Sequence, residues 1–386
     1  MLPDPCPSTP SLRVKRLSLR AATFLLSLWL PGKAPAQAVP PAPDQGEWSS
    51  VDAFWRIHDA LRADHEPDEG EWTALMATPG YALLHERERR GPLLRRAFRL
   101  AYKPSLSDSL APARTRQDWV AFVLPHLEEV SARRADLSAF RARIGARRLM
   151  DSARALAQAW LPEGATRRLA PPEVSWVVFH DARGYPRILL DPLHVMQHGT
   201  PLELIGHELH HNYRNRLAIP SRPYGDDLLA WALVNVEVEG IAGLVDKRAL
   251  TRLDSAGISR RHPPGSSSWA YFAAYPLVYR ASPQWLRVAD SLLVRIASSR
   301  DTTEQRRLAR TLHGSLPDNG RAMGSWMSEV ILEYLGHDAL MRVVGDGFGF
   351  WLTYQRAAER SAGQYPLLAP AAIQLITQVA EQYRGA

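Results

Sequence analysis

The chain has 386 residues, a formal charge of +7, 46% hydrophobic and 23% charged residues, 30 prolines and one cysteine. That composition excludes a disordered, collagen-like or disulfide-stapled chain and allows one large domain or two modest ones with a sizeable core. The basic excess is concentrated at the start: five of 47 basic and one of 40 acidic residues fall in 1–36, leaving 42 against 39 with interspersed signs and no cysteine, unlike the basic face of a nucleic-acid binder.

Arg13, Lys15, Arg16 and Arg20 precede an apolar-leaning run at 21–30, closed by Pro31 and Gly32. Such a run is too short to cross a bilayer but suits a secretory signal, and Ala34-Pro35-Ala36 supplies a small-x-small cleavage site. Residues 1–36 are therefore expected to be a signal peptide, with the remainder exported to a periplasmic or extracellular setting. No later run is expected to insert stably in a membrane. Residues 37–48 are rich in Pro and read as a linker.

Helical periodicity governs 49–165. Val51, Phe54, Trp55, Ile57 and Leu61 form one apolar stripe, Trp72, Leu75 and Met76 begin a second, and Trp119, Phe122, Val123, Leu127 and Val130 form a third. The stretch 142–160 carries Leu149, Met150, Leu156 and Trp160 on one face. This N-terminal helical region ends near the Pro171-Pro172 break. Beyond it, 174–179 is β-branched and aromatic, 181–184 has turn chemistry, and 187–191 is again apolar, so a β-hairpin is expected there. From 226 onward the pattern is helical, interrupted at 259–268 and 316–320. The fold class expected is mainly α, with a small β-hairpin or sheet beside the segment described next.

Thr200 with Glu203 has the spacing of a capping box, and Pro201 suits a first helical position. The helix so begun carries His207-Glu208-Leu209-His210-His211. His207 and His211 lie one turn apart on one face, where two imidazoles can grip one ion, and Glu208 is rotated by about 100°. This is the H-E-x-x-H pattern, with the glutamate placed to reach a metal-bound water without ligating. A catalytic zinc usually takes a third protein ligand. On the next helix, which Asp226 or Asp227 can cap, Glu237 and Glu239 compete for that role. They lie about 200° apart. Glu239 is preferred, because Ala232, Asn235, Val236, Ala242, Gly243 and Asp246 share its face and small residues permit close approach to the His-bearing helix. His180, His194 and His198 show no ligand spacing and read as ordinary. No thiol nucleophile remains after residue 36, and no G-x-S-x-G elbow, phosphate loop or dinucleotide fingerprint is present.

His207-Glu208-Leu209-His210-His211 followed by Glu239-Gly240-Ile241-Ala242 resembles the gluzincin branch of zinc metallopeptidases. More narrowly, the chain is similar to a bacterial domain-of-unknown-function family regarded as zinc-dependent peptidases, in its Trp72…Gly80-Tyr81 element, its strand ending in Leu190-Asp191, and its Gly324…Met327 segment followed by Gly336. The resemblance implies a catalytic region over 166–386, Zn²⁺ held by His207, His211 and Glu239, Glu208 as general base, and a peptide or protein substrate. It also implies a donor for the oxyanion, for which Tyr271, Tyr275, Tyr279, His262 and Arg321 are candidates. One departure is Gly243, which stands where such helices often carry an Asp; Asp246 is the alternative. Two other readings remain at this stage: an exported binding protein without catalysis, and a zinc hydrolase acting on a non-peptide bond.

Overall fold

The computed structural model describes residues 47–144, 146–198, 200–218, 224–262, 264 and 269–384. The expected signal peptide and most of the linker lie outside the described residues, as does part of the 259–268 break.

The N-terminal helices have local causes. Asp68 and Glu71 cap Glu69–Met76 reciprocally. Pro79 opens Pro79–Glu88, and Asp118 accepts the Ala121 N–H to start Trp119–Ala132. Phe54, Ile57 and Leu61 from Ser49–Arg62 are buried with Trp72, Tyr81, Phe98 and Leu127. Gly80 is required by a close approach, since a Cβ there would fall 2.8 Å from Ser50 Oγ and 2.9 Å from Val177 Cβ. Its N–H donates to that same Oγ at 3.0 Å, and the Tyr81 hydroxyl donates to the Val178 carbonyl at 3.0 Å. The Gly80-Tyr81 pair thus ties this layer to the sheet.

The sheet has three strands, β1 (Val174–Trp176), β2 (Ala182–Gly184) and β3 (Ile188–Leu190), in the order β1-β3-β2. It corrects the expected pairing. β1 and β3 lie parallel, Val174 beside Ile188, and the residues expected to turn form β2, antiparallel to β3. A parallel pair needs a crossover; here the chain reverses at His180, whose φ is +78°, and runs back along the outer edge before entering β3. Asp191 Oδ2 holds that reversal by accepting the N–H groups of Phe179 (2.7 Å) and His180 (2.9 Å). Side-chain alternation then divides the core: Ile188 and Leu190 face the layer that carries the histidines, and Leu189 faces the N-terminal layer.

In the other layer three helices frame the histidines: Pro201–Arg216, Leu228–Asp246 and Arg321–Leu335, called here the His helix, the Glu helix and the Gly helix. The Glu helix is central, packed by the other two and by Thr302–Ser315 and Gly347–Arg360. Its 19 residues are long and apolar enough to cross a membrane, contrary to the expectation that no later run reaches that length, but 83% of its apolar window is buried within the fold. Enclosure on nearly every side explains why its polar face is so narrow.

Glycine contacts decide which helices meet closely. A Cβ on Gly324 would lie 2.7 Å from Gly240 Cα and overlap the Val236 carbonyl oxygen, and one on Gly243 would overlap Ser325 Oγ. The small residues of the Glu helix therefore admit the Gly helix and not, as their face leads one to expect, the His helix. The His helix approaches through its own Gly206, where a Cβ would lie 3.0 Å from Val245 Cγ1 and 3.1 Å from the Ala153 carbonyl oxygen.

Candidate metal centre

The His helix starts at Pro201, but the expected capping box does not form. Thr200 makes no side-chain cap; its hydroxyl instead lies 3.4 Å from His198 Nδ1. Asp227 does cap the Glu helix, accepting the N–H groups of Leu229 and Ala230 at 3.0 Å each. The two helices cross with their polar residues facing one another. His207 Nε2 and His211 Nε2 are 2.9 Å apart, and each lies 3.8 Å from a different oxygen of Glu239. One donor atom from each of the three residues fits within a 4.8 Å cluster.

The surroundings prepare these donors. His207 Nδ1 is 3.0 Å from the Ala242 carbonyl and 3.0 Å from Asp246 Oδ1. Both partners accept, so the proton belongs on Nδ1 and the lone pair on Nε2, toward Glu239. Asp246 is itself paired with Lys247. Burial opposes its charge, yet His207 and Lys247 hold its carboxyl well below the usual range. The partner expected one turn after Glu239 has thus moved to Asp246. Burial likewise opposes the charge of Glu239, but Arg321 foremost, with His211 and His207, keeps it ionised. Arg321 donates to Glu239 Oε2 through Nε (2.6 Å) and Nη2 (2.5 Å). His211 is buried, and burial drives its imidazole far toward the neutral, ligating form.

Glu208 is buried and forms no hydrogen bond or ion pair with a described residue. Burial pushes its carboxyl up, against the opposing charges of His207 and Arg183. β2 lies on this turn of the helix: a Cβ on Gly184 would come within 2.7 Å of His211 Cβ and overlap the Glu208 carbonyl. Turn chemistry at 181–184 does not by itself announce this contact; a glycine flanked by apolar runs is the available signal.

The structure separates the competing residues. Glu237 points away, bonded to Arg214 Nε (2.9 Å) and accepting the Gly345 N–H (2.9 Å), and takes no part in the cluster. Among the five candidate donors, Tyr275 gives its hydroxyl proton to Ser325 Oγ (3.2 Å), and His262 stacks on Phe272 with ring centroids 3.6 Å apart. Tyr279 is under the charges of Glu329 and Arg248. Arg321 reaches the cluster through Glu239, and Tyr271 is joined to it by a 3.1 Å hydrogen bond from Arg321 Nη1. The histidines read as ordinary make a file of rings, with His180 to His194, His194 to His198 and His198 to His262 separated by 6.1, 6.0 and 5.6 Å.

The chain belongs to the family described as "Putative zinc dependent peptidase (DUF5700)", whose model matches residues 72–363. That span contains the His, Glu and Gly helices and the sheet. Searches of curated proteins and of solved structures found no match.

Proposed function

We propose that this chain is an exported zinc metallopeptidase that uses His207, His211 and Glu239 as ligands and Glu208 as general base. The observation that carries the reading is the convergence of two Nε2 atoms and one carboxylate at a point beside a buried carboxyl group that has no hydrogen-bond or ion-pair partner among the described residues. The donors suit zinc: two neutral imidazoles and one carboxylate satisfy its preference for mixed N and O ligands, and three protein ligands leave a position open. Zinc bound there would supply a water acidified toward neutrality and polarise the scissile carbonyl.

The remaining work falls to side chains. Glu208 takes the proton of the attacking water and returns it to the leaving amine, a task helped by a carboxyl raised through burial. Asp246 and the Ala242 carbonyl keep His207 in one tautomer and orientation. Tyr271 is the donor we assign to the oxyanion. Its oxygen accepts from Arg321, the residue that also holds Glu239, and its proton goes to Asp318 Oδ2 at 2.6 Å. Export rests on the basic, apolar and small-residue order of 1–36.

The test is metal content by elemental analysis of chain purified without chelator, together with hydrolysis of a denatured protein substrate. About one zinc per chain is expected. Glu208→Gln should keep that zinc and lose at least about a hundredfold in turnover, and Glu239→Ala should lose the zinc. Wild-type protein that takes up no zinc when it is supplied would overturn the reading.

A further inference from the structure

A carboxylate buried as deeply as Glu239 needs a compensating charge at all times, because an uncompensated one costs more than most contacts return. Glu239 has a permanent one. Arg321 sends two N–H groups to the same oxygen, Oε2, leaving Oε1 on the side of His211, 3.8 Å from its Nε2. The guanidinium is fixed in turn. Nη1 reaches the Tyr271 oxygen (3.1 Å) and Asp318 Oδ2 (3.2 Å). Asp318 stands at the head of a turn in which it, Asn319 and Gly320 all have positive φ, +51°, +54° and +84°. Two consecutive non-glycine residues in that region are costly, and such strain persists only where the surroundings over-determine it. Gly320 is pressed against the Glu helix, where a Cβ would lie 2.8 Å from Val236 Cγ2.

We infer that Arg321 is a built-in counter-charge to the ligand Glu239: it makes the buried acid tolerable without an ion, and holds zinc affinity below what the donor set alone would give. The fork engages one oxygen and leaves the other to serve as a ligand. Arg321 therefore acts in two opposed ways, steadying the carboxylate and repelling the cation that the carboxylate attracts. At the short range imposed by the 2.5–2.6 Å contacts with Glu239, repulsion of a divalent ion in a partly dehydrated site outweighs the loss of positioning. A residue that only positioned Glu239 would have the reverse effect on affinity.

The inference rests on the metallopeptidase reading for its zinc measurement but not for its stability measurement, so the two can fail separately. The chain without residues 1–36, carrying Arg321→Met, would be melted in excess chelator at pH 8 and titrated with zinc against a competing chelator, beside wild type, Arg321→Lys and the double variant Arg321→Met/Glu239→Gln. In chelator, Arg321→Met is expected to melt about 5 °C or more below wild type, because Glu239 is left uncompensated. Removing the acid as well, in the double variant, should restore most of that loss. For zinc, Arg321→Met is expected to bind at least about fivefold more tightly than wild type, with Arg321→Lys near wild type because it keeps the charge. Weaker zinc binding by Arg321→Met would overturn the counter-charge role. So would a double variant no more stable than Arg321→Met, since packing and not charge would then be what Arg321 supplies.

Discussion

Asp246 meets Nδ1 of His207 at 3.0 Å from a position two turns beyond Glu239 on the same helix. One helix therefore delivers both a proposed ligand, Glu239, and the group that orients a second, His207, so the two cannot drift apart independently. Asp246→Ala should weaken zinc binding by about 10- to 100-fold, as loss of such outer partners typically does. Competition with a chromogenic chelator measures this. Unchanged affinity would show that the Ala242 carbonyl alone orients the ring.

Tyr271 is expected to act on the reaction and not on the metal. Tyr271→Phe should retain zinc and lower kcat about a hundredfold, within the range for removal of one oxyanion donor. A change confined to KM would move Tyr271 from the oxyanion to substrate binding.

Glu237 and Glu239 should separate cleanly by what their loss damages. Glu237→Ala leaves Arg214 buried without its partner and the Gly345 N–H unpaired, a cost of about 3–5 kcal/mol for breaking a buried pair. Chemical denaturation should show that loss, while zinc stoichiometry stays at wild type. Loss of zinc from folded Glu237→Ala would reverse the assignment of the two acids.

Acid should destabilise the chain before its carboxylates are protonated. Burial lowers His180 to about 4 and His198 to about 3, from an ordinary 6.5. The unfolded chain thus binds protons at these sites below pH 6.5, whereas the folded chain stays neutral. Stability is full above 6.5 and falls as the pH drops toward 4. Asp191 has a depressed carboxyl: burial opposes its charge, but His126 and the N–H groups of His180 and His194 outweigh that. Its contribution is present above 3.8 and is lost only below. Melting in chelator from pH 7.5 to 4.5 should show a decline that His198→Asn makes shallower; a flat profile would contradict the assignment.

The metal motif was legible because its logic is local. A helix repeats every 3.6 residues, so the spacing of His207, Glu208 and His211 already states which side chains share a face, and Pro201 and Asp227 mark where two helices begin. The family match over 72–363 agrees with the narrower resemblance, to a bacterial family regarded as zinc-dependent peptidases. That Glu239 and not Glu237 sits beside the histidines was legible as a preference, since the two lie on opposite faces, but the cause given for it was not. Small residues say that something approaches closely and not what does; Gly240 and Gly243 meet Gly324 and Ser325.

What the sequence determined by itself was therefore whatever depends on neighbours within a turn or two: the mainly helical class, the H-E-x-x-H face and the caps that form. The tertiary structure decided the rest. It set β1 parallel to β3 with β2 at the edge, because alternation reveals which side of a strand is buried but not which strand lies beside it. It gave Glu239 its Arg321 and His207 its Asp246, contacts made across separate helices. Such pairings depend on how whole helices pack, and no periodicity within either segment encodes the partner it will meet.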